Sequence, residues 1–491
     1  MNESLWFDEV MYTGVGLTGD SLRWVLFHDV HPPLYALVVW AWIQVFGDSE
    51  IAVRLPSLLC GLASVALTFA LAQQWFGSRI AFLAAMLLAL SPAHIWYSHE
   101  NKTNMLLVLL TVTLIWGLDR AWRSDRRRDW AVFLIASALA LWTNVFAVFV
   151  VLAALLWLWL EALRAQRLRR AVVSTIVVIC ACLPIAIADL RQIGSLQRSY
   201  LRPFTLEEVY KLLLIYLSHG NTLRTLSPYA RLEAMLLQPW PFFLVDGLFA
   251  CLLVVGFVWL IRNGGNAKPQ PLMNRPAHRL LVFYFIVPLL ALWVASRIHA
   301  PIYIERSMLI LLVPYVMLLA AGVFAIPRPP LRYVALAALL LLNGWALLNL
   351  WVMKSDTWTV YKQKNDWRAA AQFFGAEMHN STMPLVIFAT APASVLVYYD
   401  HRFSELADAD DAGRPEAKAL IAYVSRNGER SLADRLRRDH TDTCYLIEDR
   451  YWGNGFNQLL AAVTKDPAFQ LLAQRSFKGL NVFKFRLLAE P

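Results

Sequence analysis

Charge is what this sequence has least of. Charged residues make up 16% of the 491, against roughly 25% in ordinary soluble domains, while 58% are hydrophobic and the mean hydropathy is +0.48. That scarcity excludes a single water-soluble core. Cysteine is scarce as well: Cys60, Cys180, Cys182 and Cys251 sit inside apolar runs and Cys444 alone lies in the polar tail, so neither a disulfide framework nor a metal-ligand spacing is legible. Cys180-x-Cys182 offers two soft ligands, but in an apolar helix the pair reads as small hydrophobes. No internal repeat and no pair of glycine- or proline-broken apolar segments is visible, which counts against a transporter or flippase of a lipid-linked substrate. The tail contains no glycine-rich phosphate loop, so no nucleotide is assigned to it. Acids are outnumbered, 35 against 45 Lys and Arg, for a formal charge of +10. Those basic residues fall in short stretches between apolar runs, which reads as membrane topology and argues against nucleic acid as a partner.

What is present is a succession of apolar segments, at residues 55–75, 79–95, 105–122, 130–142, 145–162, 171–189, 240–261, 280–296, 307–325 and 331–353. Their lengths approach what ~30 Å of hydrocarbon requires, and only helices satisfy every backbone group in lipid. The fold class is therefore a polytopic α-helical membrane protein. Residues 31–46 are apolar, rich in Trp and short for a span, as expected of a helix lying along the membrane surface. Arginines cluster at 120–128, 164–170, 262–279 and 328–332, and ten spans put all four clusters on one side, the cytoplasmic one. Residues 1–54, 91–104, 191–239, 297–306 and everything after 353 then face outward. The basic residues within 191–239 cut against the rule, which binds long loops less tightly. Within that loop Thr205-Leu-Glu-Glu208 has the form of a capping box opening a short helix to about Ser218. After Met353, helix-like 366–378, 431–438 and 456–463 alternate with strand-like 385–390, 444–447 and 481–485, the pattern of a small C-terminal α/β domain. The expected division is thus a first extracytoplasmic loop with an interfacial helix (1–54), a multi-span domain (55–353) and a soluble extracytoplasmic domain (354–491).

Four polar groups on the outward side could carry chemistry. Asp8-Glu9 offers a carboxylate as a general base for an acceptor hydroxyl or amine, or else a helix cap. His28-Asp29-Val30-His31-Pro32-Pro33 gathers two imidazoles and a carboxylate before a rigid Pro-Pro, a set that could hold a divalent metal ion through His28 and Asp29 or hydrogen-bond a phosphate. In Ser98-His99-Glu100-Asn101-Lys102-Thr103-Asn104, Lys102 could neutralise a phosphate and Glu100 could orient it or bind a sugar. The plain alternative is a snorkelling lysine paired with its neighbouring acid. In His299-Ala-Pro-Ile-Tyr-Ile-Glu305-Arg306, Arg306 fits a phosphate fork and equally an interfacial anchor.

The order of several short motifs resembles family 39 of the glycosyltransferases. These are GT-C-type membrane enzymes that include the protein O-mannosyltransferases and the aminoarabinose transferase of lipid A. The matching text is Leu5-Trp6-Phe7-Asp8-Glu9, His31-Pro32-Pro33-Leu34-Tyr35, Phe46-Gly47-Asp48-Ser49-Glu50 with Arg54-Leu55-Pro56-Ser57, Phe76-Gly77-Ser78-Arg79, Ser91-Pro92 and, at the head of the tail, Asp366-Trp367-Arg368-Ala369-Ala370. The resemblance implies a bacterial inner-membrane, cell-envelope enzyme that takes a sugar from a polyprenyl-phosphate carrier. It delivers the sugar to a glycan, lipid or protein acceptor, with inversion and with Asp8 as the base beside Glu9. A phosphate leaving group needs no proton, so one base suffices, whereas a glycosidase needs two carboxylic groups. Cations must stabilise the departing phosphate, a role for His31, Lys102 and Arg306, with Glu100 also among the substrate-binding residues. Relatives carry a span before the Asp-Glu loop, so a start upstream of Met1 is expected. Where the lipid A branch has Asp this chain has Asn104, and where that branch has Glu-Lys it has Val30-His31, which argues against aminoarabinose as the sugar.

Overall fold

The computed structural model describes residues 4–17, 32–192, 203–220, 240–266, 275–298, 302–353, 361, 364–380, 385–389, 394–400, 403–405, 419–423, 442–449 and 456–488. The chain forms two compact units. The first comprises Met1–Leu17, Asp48–Ile51 and Gln363–Pro491, and the second Thr18–Gly47 and Ala52–Lys362.

The second unit is helical throughout its described residues. Its helices are α2 (Leu34–Phe46), α3 (Glu50–Phe76), α4 (Ser78–Ala89), α5 (Pro92–Ser98), α6 (Asn104–Ser124), α7 (Arg127–Thr143), α8 (Ala147–Ala165) and α9 (Leu168–Gln192), then α10 (Leu206–Tyr210), α11 (Trp240–Asn266), α12 (Arg275–Ile298), α13 (Leu312–Ala325) and α14 (Pro329–Leu348). Among the described residues, eight segments are long and apolar enough to cross a membrane, and nine if α4 and α5 count as one. The protein is therefore a multi-pass membrane protein. All ten apolar segments read from the sequence are helices, with two departures. The second is broken at Ser91-Pro92 and bent by 56°, because proline cannot donate into the preceding turn and Ser91 instead caps α5 by accepting from the His94 amide. The fourth is the 17-residue α7, a few residues short of the usual span.

Glu305–Ala325, a 3₁₀ turn (Glu305–Leu311) continued by α13, is the most enclosed of these segments: 89% of its span is buried, against 22–67% for the others. Lipid supplies no hydrophobic drive between helices, so close backbone approach must do so. Gly256 on α11 faces Gly322 on α13, and a β-carbon on either would collide with the carbonyl oxygen of Leu318 or Leu252. Gly256→Leu should therefore lower the unfolding temperature in detergent by several degrees, as ~1–3 kcal/mol of overpacking does; an unchanged melting curve would mean the helices can separate without cost.

The first unit begins with α1 (Phe7–Leu17) and continues, in the tail, with α15 (Trp367–Asn380), β1 (Leu385–Ala389), α16 (Ser394–Tyr399), β2 (Phe403–Glu405), β3 (Ala419–Tyr423), β4 (Thr443–Asp449), α17 (Phe456–Lys465), β5 (Phe469–Phe477) and β6 (Leu480–Leu487). The strand order is β2-β3-β1-β4-β6-β5, the first four parallel and the last two antiparallel. On the inner strand β4, Cys444, Tyr445, Leu446 and Ile447 are buried in succession, as when both faces of a strand are covered, whereas β5 lies on the edge with most of its residues exposed. Ala370, Phe374 and Met378 bury one stripe of α15, and the Phe374 ring lies 5.3 Å from that of Tyr445 on β4. The small α/β domain expected after Met353 is present. Its expected helix at 431–438 lies outside the described residues.

Candidate functional site

In the first unit, the motif Leu5-Trp6-Phe7-Asp8-Glu9 starts α1, and its two acids are placed differently. Glu9 is fully buried. Its carboxylate accepts from the Trp6 backbone amide at 3.3 Å, the reach of a third-position acid back to the helix cap, and pairs with the buried Lys364 Nζ at 2.9 Å. Asp8, one residue before, is half-buried. The start of the chain is held further by Ser4, whose hydroxyl donates to the Asn365 carbonyl and accepts from the Trp367 amide. Two sequence motifs meet in this unit. Arg368 of Asp366-Trp367-Arg368-Ala369-Ala370 grips Glu50 of Phe46-Gly47-Asp48-Ser49-Glu50 through both Nε and Nη2. Tyr399 donates to the same carboxylate and accepts from the Leu5 amide at 2.7 Å, while Tyr398 donates to the Asp48 carbonyl at 2.7 Å.

In the second unit, the segment joining α5 to α6 is polar yet enclosed: Glu100, Asn101, Lys102, Thr103 and Asn104 are all buried. Residues of two further motifs pin it. The Tyr35 hydroxyl lies 2.9 Å from Asn101 Oδ1 and 2.8 Å from the Ser57 hydroxyl, which in turn lies 3.2 Å from the Lys102 carbonyl, a chain that the two hydroxyl protons serve. Asn144, at the end of the short α7, reaches Thr103 at 3.4 Å. Tyr35 and Ser57 thus hold the loop at Asn101 and at the Lys102 carbonyl, and Lys102 is only 6% exposed. A cation at such depth requires anionic company.

Aromatic side chains stand beside this loop. The Tyr97 and Tyr216 hydroxyls are hydrogen-bonded, Tyr361 donates to the Tyr216 carbonyl at 2.8 Å, and Trp96 stacks on Tyr361 at 5.7 Å. Glu100, Arg306 and Glu305 all lie near enough to act electrostatically on the Tyr97 hydroxyl, which brings Arg306 into the neighbourhood of Glu100. Thr205 caps α10 by accepting from the Glu208 amide, as its capping box predicts, but from Lys211 the helix widens into a π turn, Lys211–Tyr216, a local loosening common at functional sites. After it, His219 Nε2 lies 3.0 Å from Asp246 Oδ1, and Tyr210 donates to the other carboxylate oxygen. Gly220 holds a left-handed φ of +61°, and a β-carbon there would strike the Tyr361 ring.

Residues 30–188 match the family model described as dolichyl-phosphate-mannose-protein mannosyltransferase. The structure of ArnT from Cupriavidus metallidurans bound to undecaprenyl phosphate shares the fold over 98% of this chain and 94% of its own, at 15% identity and a TM-score of 0.54. The apo oligosaccharyltransferase of Archaeoglobus fulgidus does so over 94% of this chain and 69% of its own, at 11% identity and a TM-score of 0.50. No curated protein sequence matches. Over those lengths the chain has the fold of these membrane proteins.

Of the residues singled out in the sequence, Glu100 and Lys102 share the buried loop between α5 and α6, Arg306 lies in the same helical unit, and Asp8 and Glu9 lie on the first unit. His28, Asp29 and His31 lie outside the described residues, as does His299. Among the described residues, no group of three His, Cys, Asp or Glu side chains could hold a metal ion. Lys364 was missed, since a partner 355 residues away leaves no local trace. Tyr97, Tyr216 and Tyr361 were missed because an isolated tyrosine at a helix end looks like any interfacial aromatic. His219 with Asp246 was missed because the two sit on separate elements with unremarkable flanks.

Proposed function

We propose that this transferase moves a sugar from a polyprenyl-phosphate carrier to an acceptor glycolipid, polysaccharide or protein on the outer face of a bacterial inner membrane. The observation that carries this reading is the buried Lys102, on a loop that Tyr35 and Ser57 hold and that also carries Glu100. An ammonium at such depth, on a held loop, suits a dianionic leaving group, whose developing charge it stabilises. The undecaprenyl phosphate named for ArnT is a ligand of that class. Arg306, near Glu100, supplies a second cation, and His31 is assigned a third. Asp8, half-buried in the first turn of α1, is the acid assigned to the acceptor, removing its proton as the nucleophile attacks the anomeric carbon opposite the phosphate. A single displacement of that kind inverts the configuration. Glu9 then positions Asp8 through α1.

Replacing Lys102 or Arg306 by Ala should weaken binding of the polyprenyl-phosphate sugar by roughly 10–100-fold, the worth of one charge-assisted hydrogen bond. Isothermal titration in detergent would measure it; unchanged donor affinity with lost acceptor affinity would reverse the assignment.

The orientation follows from the arginines at the ends of α6 and α8 and the starts of α7 and α9, which count as cytoplasmic. Keeping all four clusters on one side requires α7 to cross despite its length, with Trp130 and Trp142 near its ends as interfacial anchors. Cysteine labelling tests this. Burial pushes the Cys444 thiol up to about 12, so at pH 8 it stays protonated and silent. In a variant with the four membrane cysteines replaced by Ala, Lys465→Cys should react with an impermeant maleimide on intact cells, and Arg126→Cys only after permeabilisation. The opposite pattern would invert the topology.

A further inference from the structure

The first unit contains a cleft of about 410 Å³ lined by Arg368, Ala371, Gln372 and Gly375 of α15 and by Tyr399 and Asp400 at the end of α16. No step proposed above uses it. Arg368, Ala371, Gln372 and Gly375 follow one another at helical spacing, so they share one face of α15. The small Ala371 and Gly375 leave room beside the longer side chains. Its volume lies within the range of small-molecule sites.

The chemistry of the lining narrows the ligand. Arg368 is already neutralised by its two-pronged grip on Glu50, and Asp400 adds a further negative charge. The cleft therefore has no surplus positive charge with which to hold a phosphate. One wall is a helix face and the other a helix end, so neither presents the strand edge on which an extended peptide pairs. What remains is a guanidinium edge, a primary amide that both donates and accepts, a carboxylate that accepts, and the body of a tyrosine. Such a set suits a neutral ligand with many hydroxyl groups and some apolar ring surface. Tyr399 also ties the cleft to the proposed base, because its hydroxyl accepts from the Leu5 amide three residues before Asp8.

We propose that this cleft binds the carbohydrate portion of the acceptor, so that the unit carrying Asp8 also selects a glycan or glycolipid in preference to a protein. This inference rests on the transferase reading above and specifies its acceptor class.

The test is binding of the full chain, in detergent and without donor, to an array of soluble oligosaccharides built from hexoses, N-acetylhexosamines and uronic acids, with a peptide array alongside. Gln372 is exposed and Asp400 half-buried, so Gln372→Ala and Asp400→Asn should leave the fold intact, as the thermal transition of each variant would verify. Oligosaccharides should be retained by the parent chain, and each variant should bind them about tenfold more weakly, the cost of losing a hydrogen bond or two to a neutral ligand. Retention of peptides alone, retention of nothing, or affinity equal in both variants would each overturn the proposal. Turnover plays no part in the assay, so a failure of the transferase reading shows separately, as glycan binding without sugar transfer from any polyprenyl-phosphate donor.

Discussion

Replacing Asp8 by Asn is expected to cut turnover by roughly 10²–10⁴-fold while binding of the polyprenyl-phosphate donor persists. The amide keeps the size of the carboxylate and most of its hydrogen bonding but cannot take a proton, so the loss should appear in kcat. Donor binding is assigned to Lys102 and Arg306 in the other unit, so donor affinity should move little. The protein must first be shown monodisperse and folded. An Asn variant that transfers sugar at the parent rate would remove Asp8 from the mechanism, and one that loses donor binding would make it part of the donor site.

Glu9→Gln should behave differently, as a stability lesion. Its carboxylate is fully buried and tied to Lys364, itself only 6% exposed in its side chain. Removing one partner of a buried pair strands the other charge in a poor solvent, which costs about 3–5 kcal/mol. Glu9→Gln and Lys364→Met should each destabilise the first unit, seen as a lower unfolding temperature and earlier proteolysis of the tail. Together they should recover much of the loss, because neither charge is then stranded. Strictly additive effects would show that the pair is not coupled. A Glu9→Gln protein with parent stability but no turnover would make Glu9 a catalytic residue.

Much of the helical unit was legible in the sequence. Runs of twenty apolar residues have few physical options in lipid, so all ten segments became helices, and the Ser91-Pro92 break could have been anticipated from the proline alone. The capping box at Thr205 was equally readable, but the π turn that follows it was not, since it depends on tertiary packing. In the tail, β1, β4 and β6 were legible as apolar runs, whereas β5, with most of its length exposed, takes its conformation from pairing with β6.

The short motifs show where reading along the chain stops. Their order pointed to a GT-C transferase, but their individual purposes were invisible. Tyr35 and Ser57 turn out to hold the loop of Lys102, and Glu50 turns out to be the partner of Arg368, more than three hundred residues away. Hydrophobic length and arginine placement are local properties, so the sequence by itself determined the membrane class, the number of apolar segments and the candidate acids and cations. The pairing of Glu9 with Lys364, the hydroxyls that hold the Lys102 loop, and the side chains of α15 and α16 that open a cleft were decided only by tertiary structure. Each depends on groups that no local pattern relates and that only the folded backbone brings within hydrogen-bonding distance.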